Sequence, residues 1–204
     1  MSIQYIWEIK AKNTPFLKKK CNHCSSDRFQ CSDKFRLNAQ KKNIDIWLIY
    51  RCVHCQSRYN MTLFSRIRTE AIDKDLFNKM SENDIATAWE YAFSHKIRRK
   101  NNVEADLEAV DYDVICDEIS VEDLPDSDRE MLTIVIKSPF DFNLKISFVV
   151  RIGLKLSSGK LNRLIEMNGI FVHEKPLQRK YKMKNADEVR IHAMTLKKIL
   201  SEGN

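Results

Sequence analysis

The chain has 204 residues, 43% of them hydrophobic, and its few glycines and prolines (four of each) argue against long flexible linkers. It has no apolar run near the roughly 20 residues of a membrane-spanning helix and no basic and apolar leader, so we predict a cytoplasmic protein without a membrane partner. The net charge of +7 divides into +10 for residues 1–100, −11 for residues 101–143 and +8 for residues 144–204.

The amino-terminal part contains two cysteine pairs with the same spacing. Residues 3–9 are predicted to form a strand, and the pairs follow as Cys21-Asn22-His23-Cys24 and Cys52-Val53-His54-Cys55. Two thiolates in one tight turn can reach one ion, and two such turns complete a tetrahedral shell of four sulfurs. We therefore predict one structural zinc ion with four ligands: Cys21, Cys24, Cys52 and Cys55.

Other uses of these cysteines fit the sequence less well. A redox dithiol would not explain the duplication, and disulfides would suit a small secreted domain. A closed shell of four sulfurs leaves no position for a substrate or an activated water, so the ion should stabilise the fold and not catalyse.

The remaining histidines and cysteines near the pairs receive structural interpretations. His23 and His54 could each replace a cysteine ligand, but we expect exposed rings because all four thiols are present. Cys31 and Cys116 have no partner at metal spacing and are predicted to be buried, inert thiols. The lysines at 18–20 could lower thiol pKa values or touch phosphate, and the sequence leaves both open.

The residues between the pairs predict a hairpin. Alternation around Phe35 and Leu37 predicts a half-buried strand, and residues 40–43 a turn. Residues 44–50 are branched and aromatic and predict a central strand, and residues 58–64 predict a third. Together with the cysteine pairs, these strands predict a zinc ribbon.

The sequence resembles, over most of its length, a bacterial family known as domain of unknown function 1062. The resemblance is in Lys34-Phe35-Arg36-Leu37-Asn38-Ala39, in Ile44 to Cys52, in Ile6-Trp7-Glu8 and in Asn83-Asp84. It adds no activity, because none is established for the family. Ser25 and Gln56 stand where ribbons often have a glycine, a departure that concerns the turns and not the ligands.

Helices and strands are expected after the ribbon. Residues 70–80 predict one helix, and a second should begin at Asn83 or Asp84 and end around residues 94–96, with Trp89 in the core. Residues 98–100 are interpreted as a solvated exit. In the acidic middle, residues 111–117 and 131–137 predict strands around a polar loop at 122–128, and a boundary is expected at 138–139. Asp117 and Glu118 are interpreted as surface charge.

The carboxyl-terminal segment predicts two helices and two strands. Leu144, Phe148, Val149 and Ile152 should form the inner face of the first helix, which ends at Gly153. Ser157 or Ser158 should cap the second helix, and the left-handed conformation of Gly169 should close it. Strands are expected at residues 170–172 and 187–191, with a turn at residues 174–176.

This order is similar to the ribosomal S-four-like RNA-binding domain. The similarity rests on Gly153-Leu154, Ser157, Leu164-Ile165, residues 169–172 and Asp187-Glu188-Val189. In that family, the start of the second helix and the basic face beside it contact RNA backbone. Ser158 replaces the usual arginine, His173-Glu174 replaces Asn-Gly, and the acidic start of the first helix is missing. The resemblance implies RNA contacts by seven residues: Lys155, Ser157, Lys160, Arg163, Arg179, Lys180 and Lys182.

These features predict an α+β protein with three segments. They are a zinc-ribbon domain (1–68), a helical and acidic strand-containing segment (69–143) and a basic S-four-like α/β module (144–204). We expect a non-catalytic protein that binds one structural zinc ion and structured RNA, ribosomal or transfer RNA. The alternative function is a scaffold in which the exposed edge of the hairpin binds a protein partner. The alternative interpretation of the three charged segments is that they are solvated surfaces that partly neutralise one another. An enzyme is the least favoured, since no nucleophile triad or phosphate loop is present.

Overall fold

The computed structural model describes residues 4–120, 124, 130–140 and 143–201. Apart from Leu124, the polar loop predicted at residues 122–128 lies outside this part of the chain. The described strands are β1 (Gln4–Ala11), β2 (Phe16–Lys18), β3 (Arg28–Gln40), β4 (Asn43–Cys52), β5 (Arg58–Arg68), β6 (Glu104–Asp106), β7 (Tyr112–Ile115), β8 (Met131–Lys137), β9 (Ile170–Val172), β10 (Lys175–Pro176) and β11 (Asp187–His192). The described α-helices are α1 (Lys74–Ser81), α2 (Ile85–Phe93), α3 (His95–Lys100), α4 (Ile146–Gly153), α5 (Ser158–Glu166) and α6 (Ala193–Ser201). Short 3-10 turns lie at Thr69–Ala71 and Leu107–Ala109.

The chain contains both sheets and helices, and this confirms the predicted mixed α+β class. It forms two compact units. The ribbon unit is Asn13–Val110, and the mixed-sheet unit combines Met1–Lys12 with Asp111–Asn204. The division into three functional segments at residues 68/69 and 143/144 stays a prediction.

The ribbon unit contains an antiparallel sheet with the order β5-β4-β3-β2-β6. The inner side of β4 and β5 is apolar, and Leu48, Tyr50 and Met61 are fully buried there. Helices α1 and α2 belong to the same core, to which they contribute Met80, Ala88 and Ala92. The predicted hairpin is therefore the hydrophobic centre of this unit.

Capping decides where the ribbon unit's helices begin. The Asp84 carboxylate accepts a hydrogen bond from the Thr87 backbone N–H at 2.8 Å and starts α2, as predicted. Helix α1 begins at Lys74 and not at residue 70, because Asp73 is its capping residue. The predicted solvated exit at residues 98–100 is wrong for Arg98: Ser94 caps a further helix, α3, in which Arg98 is only 6% exposed and donates to the Ala92 carbonyl at 3.1 Å. Arg99 and Lys100 are exposed, as predicted.

The mixed-sheet unit contains a sheet with the order β10-β9-β11-β8-β1-β7. Strands β1 and β8 are parallel, and the other pairs are antiparallel. The amino-terminal strand therefore pairs with strands more than 100 residues later in the chain. Its Trp7 is fully buried, and a Cβ atom on Gly153 would lie 2.4 Å from the Trp7 ring, so only glycine fits there.

Two predictions for the carboxyl-terminal helices are wrong. Helix α4 buries Ile146, Val149 and Val150, whereas Phe148 and Ile152 are 40% and 38% exposed, because the helix starts at Ile146 and turns those two outward. After α5, Asn168 takes the left-handed conformation (φ 49°), and no glycine in the described part of the chain has a positive φ. Asparagine tolerates this conformation better than most residues.

Candidate metal centre

The four predicted ligands meet in the ribbon unit. Their sulfur atoms all lie within 4.8 Å of one another, and two pairs, Cys21–Cys55 and Cys24–Cys52, are 3.6 Å apart. In a tetrahedral site with Zn–S bonds of about 2.3 Å, neighbouring sulfurs are about 3.8 Å apart. Two of the sulfur pairs are therefore close to the spacing of a tetrahedral zinc site, and the residues present fit one such ion.

The two cysteine turns share one backbone hydrogen bond but differ in one backbone conformation. The Cys21 N–H donates to the Ser26 carbonyl at 2.8 Å, and the Cys52 N–H donates to the Ser57 carbonyl at 2.9 Å. The second turn places Gln56 in the left-handed conformation (φ 61°), where ribbons often have a glycine. The Ser25 position in the first turn does not use it. Both turns therefore form without glycine.

A serine follows each turn, and one of them contacts sulfurs of both turns. The Ser57 hydroxyl lies 3.1 Å from the Cys21 sulfur and 3.3 Å from the Cys55 sulfur, and the Ser26 side chain helps to lower the pKa of Cys52. We did not predict these residues, although the repeated pattern Cys-x-His-Cys-x-Ser in residues 21–26 and 52–57 was a signal for them. Hydrogen bonds of this kind orient ligands around a metal.

The thiols have different proton affinities. Hydrogen bonds from the Ser57 hydroxyl and the His23 backbone N–H lower the pKa of Cys21. Burial opposes ionisation of Cys52, but backbone N–H groups of Cys55 and His54 lower its pKa to about 6. A backbone N–H of Ser26 favours the Cys24 thiolate, yet burial and the other thiols raise the pKa of Cys24 to about 12. An ion that binds here must displace protons, so its affinity falls with acidification.

The other candidate ligands stay outside the cluster. The side chains of His23 and His54 are exposed, and the metal-spaced group in the described part of the chain contains cysteines alone. Cys31 is buried, and this burial raises the pKa of its thiol to about 12. Cys116 is only half-buried, in contrast to the predicted buried thiol. The Lys19 ammonium lies over the Tyr59 ring, 4.8 Å from its centroid.

The residues predicted to contact RNA lie in the mixed-sheet unit. The Ser157 hydroxyl accepts a hydrogen bond from the Lys160 backbone N–H at 3.2 Å and caps α5. Lys155 forms an ion pair with Glu118, and Arg179 forms one with Glu166 at 2.9 Å. The others are Lys160 and Arg163 on α5 and Lys180 and Lys182 in the segment before β11.

The two units differ in charge in a way that the linear sequence hides. Residues 13–110 contain 18 basic and 12 acidic residues, whereas residues 1–12 and 111–204 together contain 17 and 16. The acidic middle and the basic carboxyl-terminal segment therefore belong largely to one nearly neutral unit, and most of the net positive charge is on the ribbon unit.

No helix in the described part of the chain is long and apolar enough to cross a membrane. Comparison with the curated proteins and with the solved structures found no match. A family model matches residues 37–176, which is more than half of the chain and includes Cys52 and Cys55. The chain therefore belongs to the family described as protein of unknown function (DUF1062).

Proposed function

We propose that this protein is a non-catalytic zinc-binding protein in which Cys21, Cys24, Cys52 and Cys55 hold one structural ion. The observation that carries the proposal is the convergence of four sulfurs to within 4.8 Å from two turns at the ends of one hairpin. Four thiolates fill a tetrahedral shell, so the ion would fasten β3 to β4 and leave no position for a reactant. In small zinc peptides, such binding contributes roughly 10–16 kcal/mol.

Metal analysis with two cysteine variants tests this proposal. We expect about one zinc per chain in the purified protein, and less in Cys52→Ser, because three thiolates bind more weakly than four. Cys31→Ser is the matched control, since Cys31 lies on the same hairpin outside the cluster. Equal zinc content in both variants would contradict the proposed ligand set. A chelator that removes the zinc without changing the near-ultraviolet circular dichroism would contradict the structural role.

We also propose that the carboxyl-terminal segment binds structured RNA, on the basis of its resemblance to the S-four-like domain. Three features support the proposal: Ser157 caps α5, Lys160 and Arg163 follow it on that helix, and β9 ends in a tight turn. That turn uses His173 and Glu174, with φ values of 48° and 63°, in place of Asn-Gly. Phosphate contacts would supply most of the affinity.

Charge reversal tests the RNA proposal. Binding of a transfer RNA, measured by fluorescence anisotropy at low salt, should weaken strongly in the double variant Lys160→Glu/Arg163→Glu. The control Lys137→Glu/Lys198→Glu reverses two exposed lysines of the same unit that the resemblance does not implicate. Equal affinity of the two variants would contradict the proposal. Nuclease-resistant association with another protein would favour the scaffold function instead.

A further inference from the structure

Four exposed cationic side chains share one side of the ribbon sheet. We call them the basic face: Lys34 and Arg36 on β3, Arg51 on β4 and Arg58 on β5. Successive side chains of a strand point to opposite sides, and the residues between them, such as Phe35 and Tyr50, are buried on the inner side. The basic face is therefore the side of the sheet opposite the core of the ribbon unit.

The strand register brings two of these charges directly together. Arg51 pairs with Arg58 across β4 and β5, so their Cα atoms are only about 5 Å apart. Like charges at opposite positions destabilise a sheet. Within the described residues, none of the four basic residues forms an ion pair. Arg28 on the same sheet, by contrast, pairs with Asp106. An anion that bridges the two arginines would relieve this repulsion.

The basic face also has room for a ligand. A groove of about 490 Å³ is lined by all four residues and by Ser32 and Ile49. Beside it, the Arg36 guanidinium lies over the ring of half-buried Trp47, 5.6 Å from the centroid, and Trp47 pairs with Arg36 across β3 and β4. A row of cations beside an aromatic ring is the combination that binds a phosphate backbone and stacks its bases.

We propose that the basic face binds the phosphate backbone of single-stranded nucleic acid. Arginine suits this ligand because its planar guanidinium can bond two phosphate oxygens at once. The site lies on a different unit from the residues proposed to contact structured RNA, so the two proposals can fail separately. Arg51 and Arg58 directly flank the cysteine turn of residues 52–57, so the ion would also hold these two arginines in place.

Neutralisation of the paired arginines is the critical test. The probes are a fluorescent single-stranded RNA of mixed sequence, the same sequence as DNA, and a transfer RNA. The variant Arg51→Gln/Arg58→Gln should lose two phosphate contacts. Its affinity for the single strand should fall about 25-fold at 0.1 M salt, and the slope of the logarithm of the binding constant against the logarithm of the salt concentration should become less steep by about 1.4. The control Lys41→Gln/Lys42→Gln removes the same charge from the exposed turn between β3 and β4.

Each outcome decides the proposal. Selective weakening by the arginine variant, with unchanged zinc content and near-ultraviolet circular dichroism, supports it, and comparison of the RNA and DNA arms identifies the preferred strand. Equal weakening in both variants would mean that only net charge matters and would overturn it. Loss of zinc in the arginine variant would show that the arginines serve to offset the thiolate charge and would also overturn the proposal. Binding that an acidic polypeptide such as polyglutamate abolishes, with no preference for nucleic acid, would assign the face to a protein. Unchanged binding of both single-stranded probes by Arg51→Gln/Arg58→Gln would refute this proposal, whereas transfer RNA binding that weakens only in Lys160→Glu/Arg163→Glu would support the other RNA proposal separately.

Discussion

Replacement of Ser57 by alanine should weaken zinc binding without removing a ligand. The Ser57 hydroxyl lies 3.1 Å from the Cys21 sulfur and 3.3 Å from the Cys55 sulfur, so one oxygen orients two of the four ligands. Loss of such an outer hydrogen bond typically reduces metal affinity about 10- to 100-fold. This range corresponds to about 1.4–2.8 kcal/mol, which is also the range of hydrogen bonds to charged groups. Because two sulfurs are affected, we expect the upper part of this range.

Competition with a chromophoric chelator measures this loss. The control is Ser65→Ala, which makes the same change at an exposed serine further along β5. Ser26→Ala should weaken binding in the same direction, since the Ser26 side chain favours the Cys52 thiolate by lowering its pKa. The reasoning is refuted if Ser57→Ala and Ser65→Ala hold zinc equally tightly.

Three further predictions concern stability, each measured by urea unfolding. Burial raises the pKa of the Cys31 thiol to about 12, so the stability that the neutral thiol contributes is complete below pH 9.0, the ordinary thiol pKa, and is lost as the pH rises toward 12. Between about pH 9 and 11, the free energy of unfolding should therefore fall by about 1.4 kcal/mol per pH unit on account of this thiol, and Cys31→Val should remove that slope. An unchanged slope would contradict this prediction. Gly153→Ala should cost about 3 kcal/mol because its Cβ atom would lie 2.4 Å from the Trp7 ring, whereas Gly159→Ala, whose Cβ atom would lie at an ordinary contact distance of 3.9 Å from the Ser157 hydroxyl oxygen, should not destabilise. Asp187 is 1% exposed and accepts three hydrogen bonds, one of them from a backbone N–H at 2.7 Å. Asp187→Ala should therefore lower the free energy of unfolding by roughly 3 kcal/mol. A decrease below about 1 kcal/mol would contradict this prediction and show that water replaces the carboxylate.

Local patterns predicted the elements that depend on neighbouring residues. The strands Met131–Lys137 and Ile170–Val172 were predicted with their observed bounds, and the caps Asp84 and Ser157 were among the predicted alternatives. Alternation and capping act within a few residues, so they can be read from the sequence. The cysteine cluster was predicted for a similar reason, since a short spacing within each pair and a hairpin between the pairs bring four thiols together.

Other features depend on parts of the chain that are distant in sequence. The burial of Arg98 requires the carbonyl of Ala92 and the surrounding core, and nothing in the basic run at 98–100 indicates it. The inner face of α4 was misassigned because two periodic faces were compatible with the same apolar residues. Packing of the helix buried Val150 and left Phe148 exposed.

The sequence by itself determined the candidate metal-ligating thiols, the hairpin that carries them and the family to which the chain belongs. Only the tertiary structure decided which charges act together. It joined the acidic middle to the basic carboxyl-terminal segment in one nearly neutral unit, and it placed Arg51 opposite Arg58 on the ribbon sheet. The physical reason is that ligand spacing is encoded over a few residues, whereas the balance of charge on a surface depends on strand pairing between residues far apart in the chain.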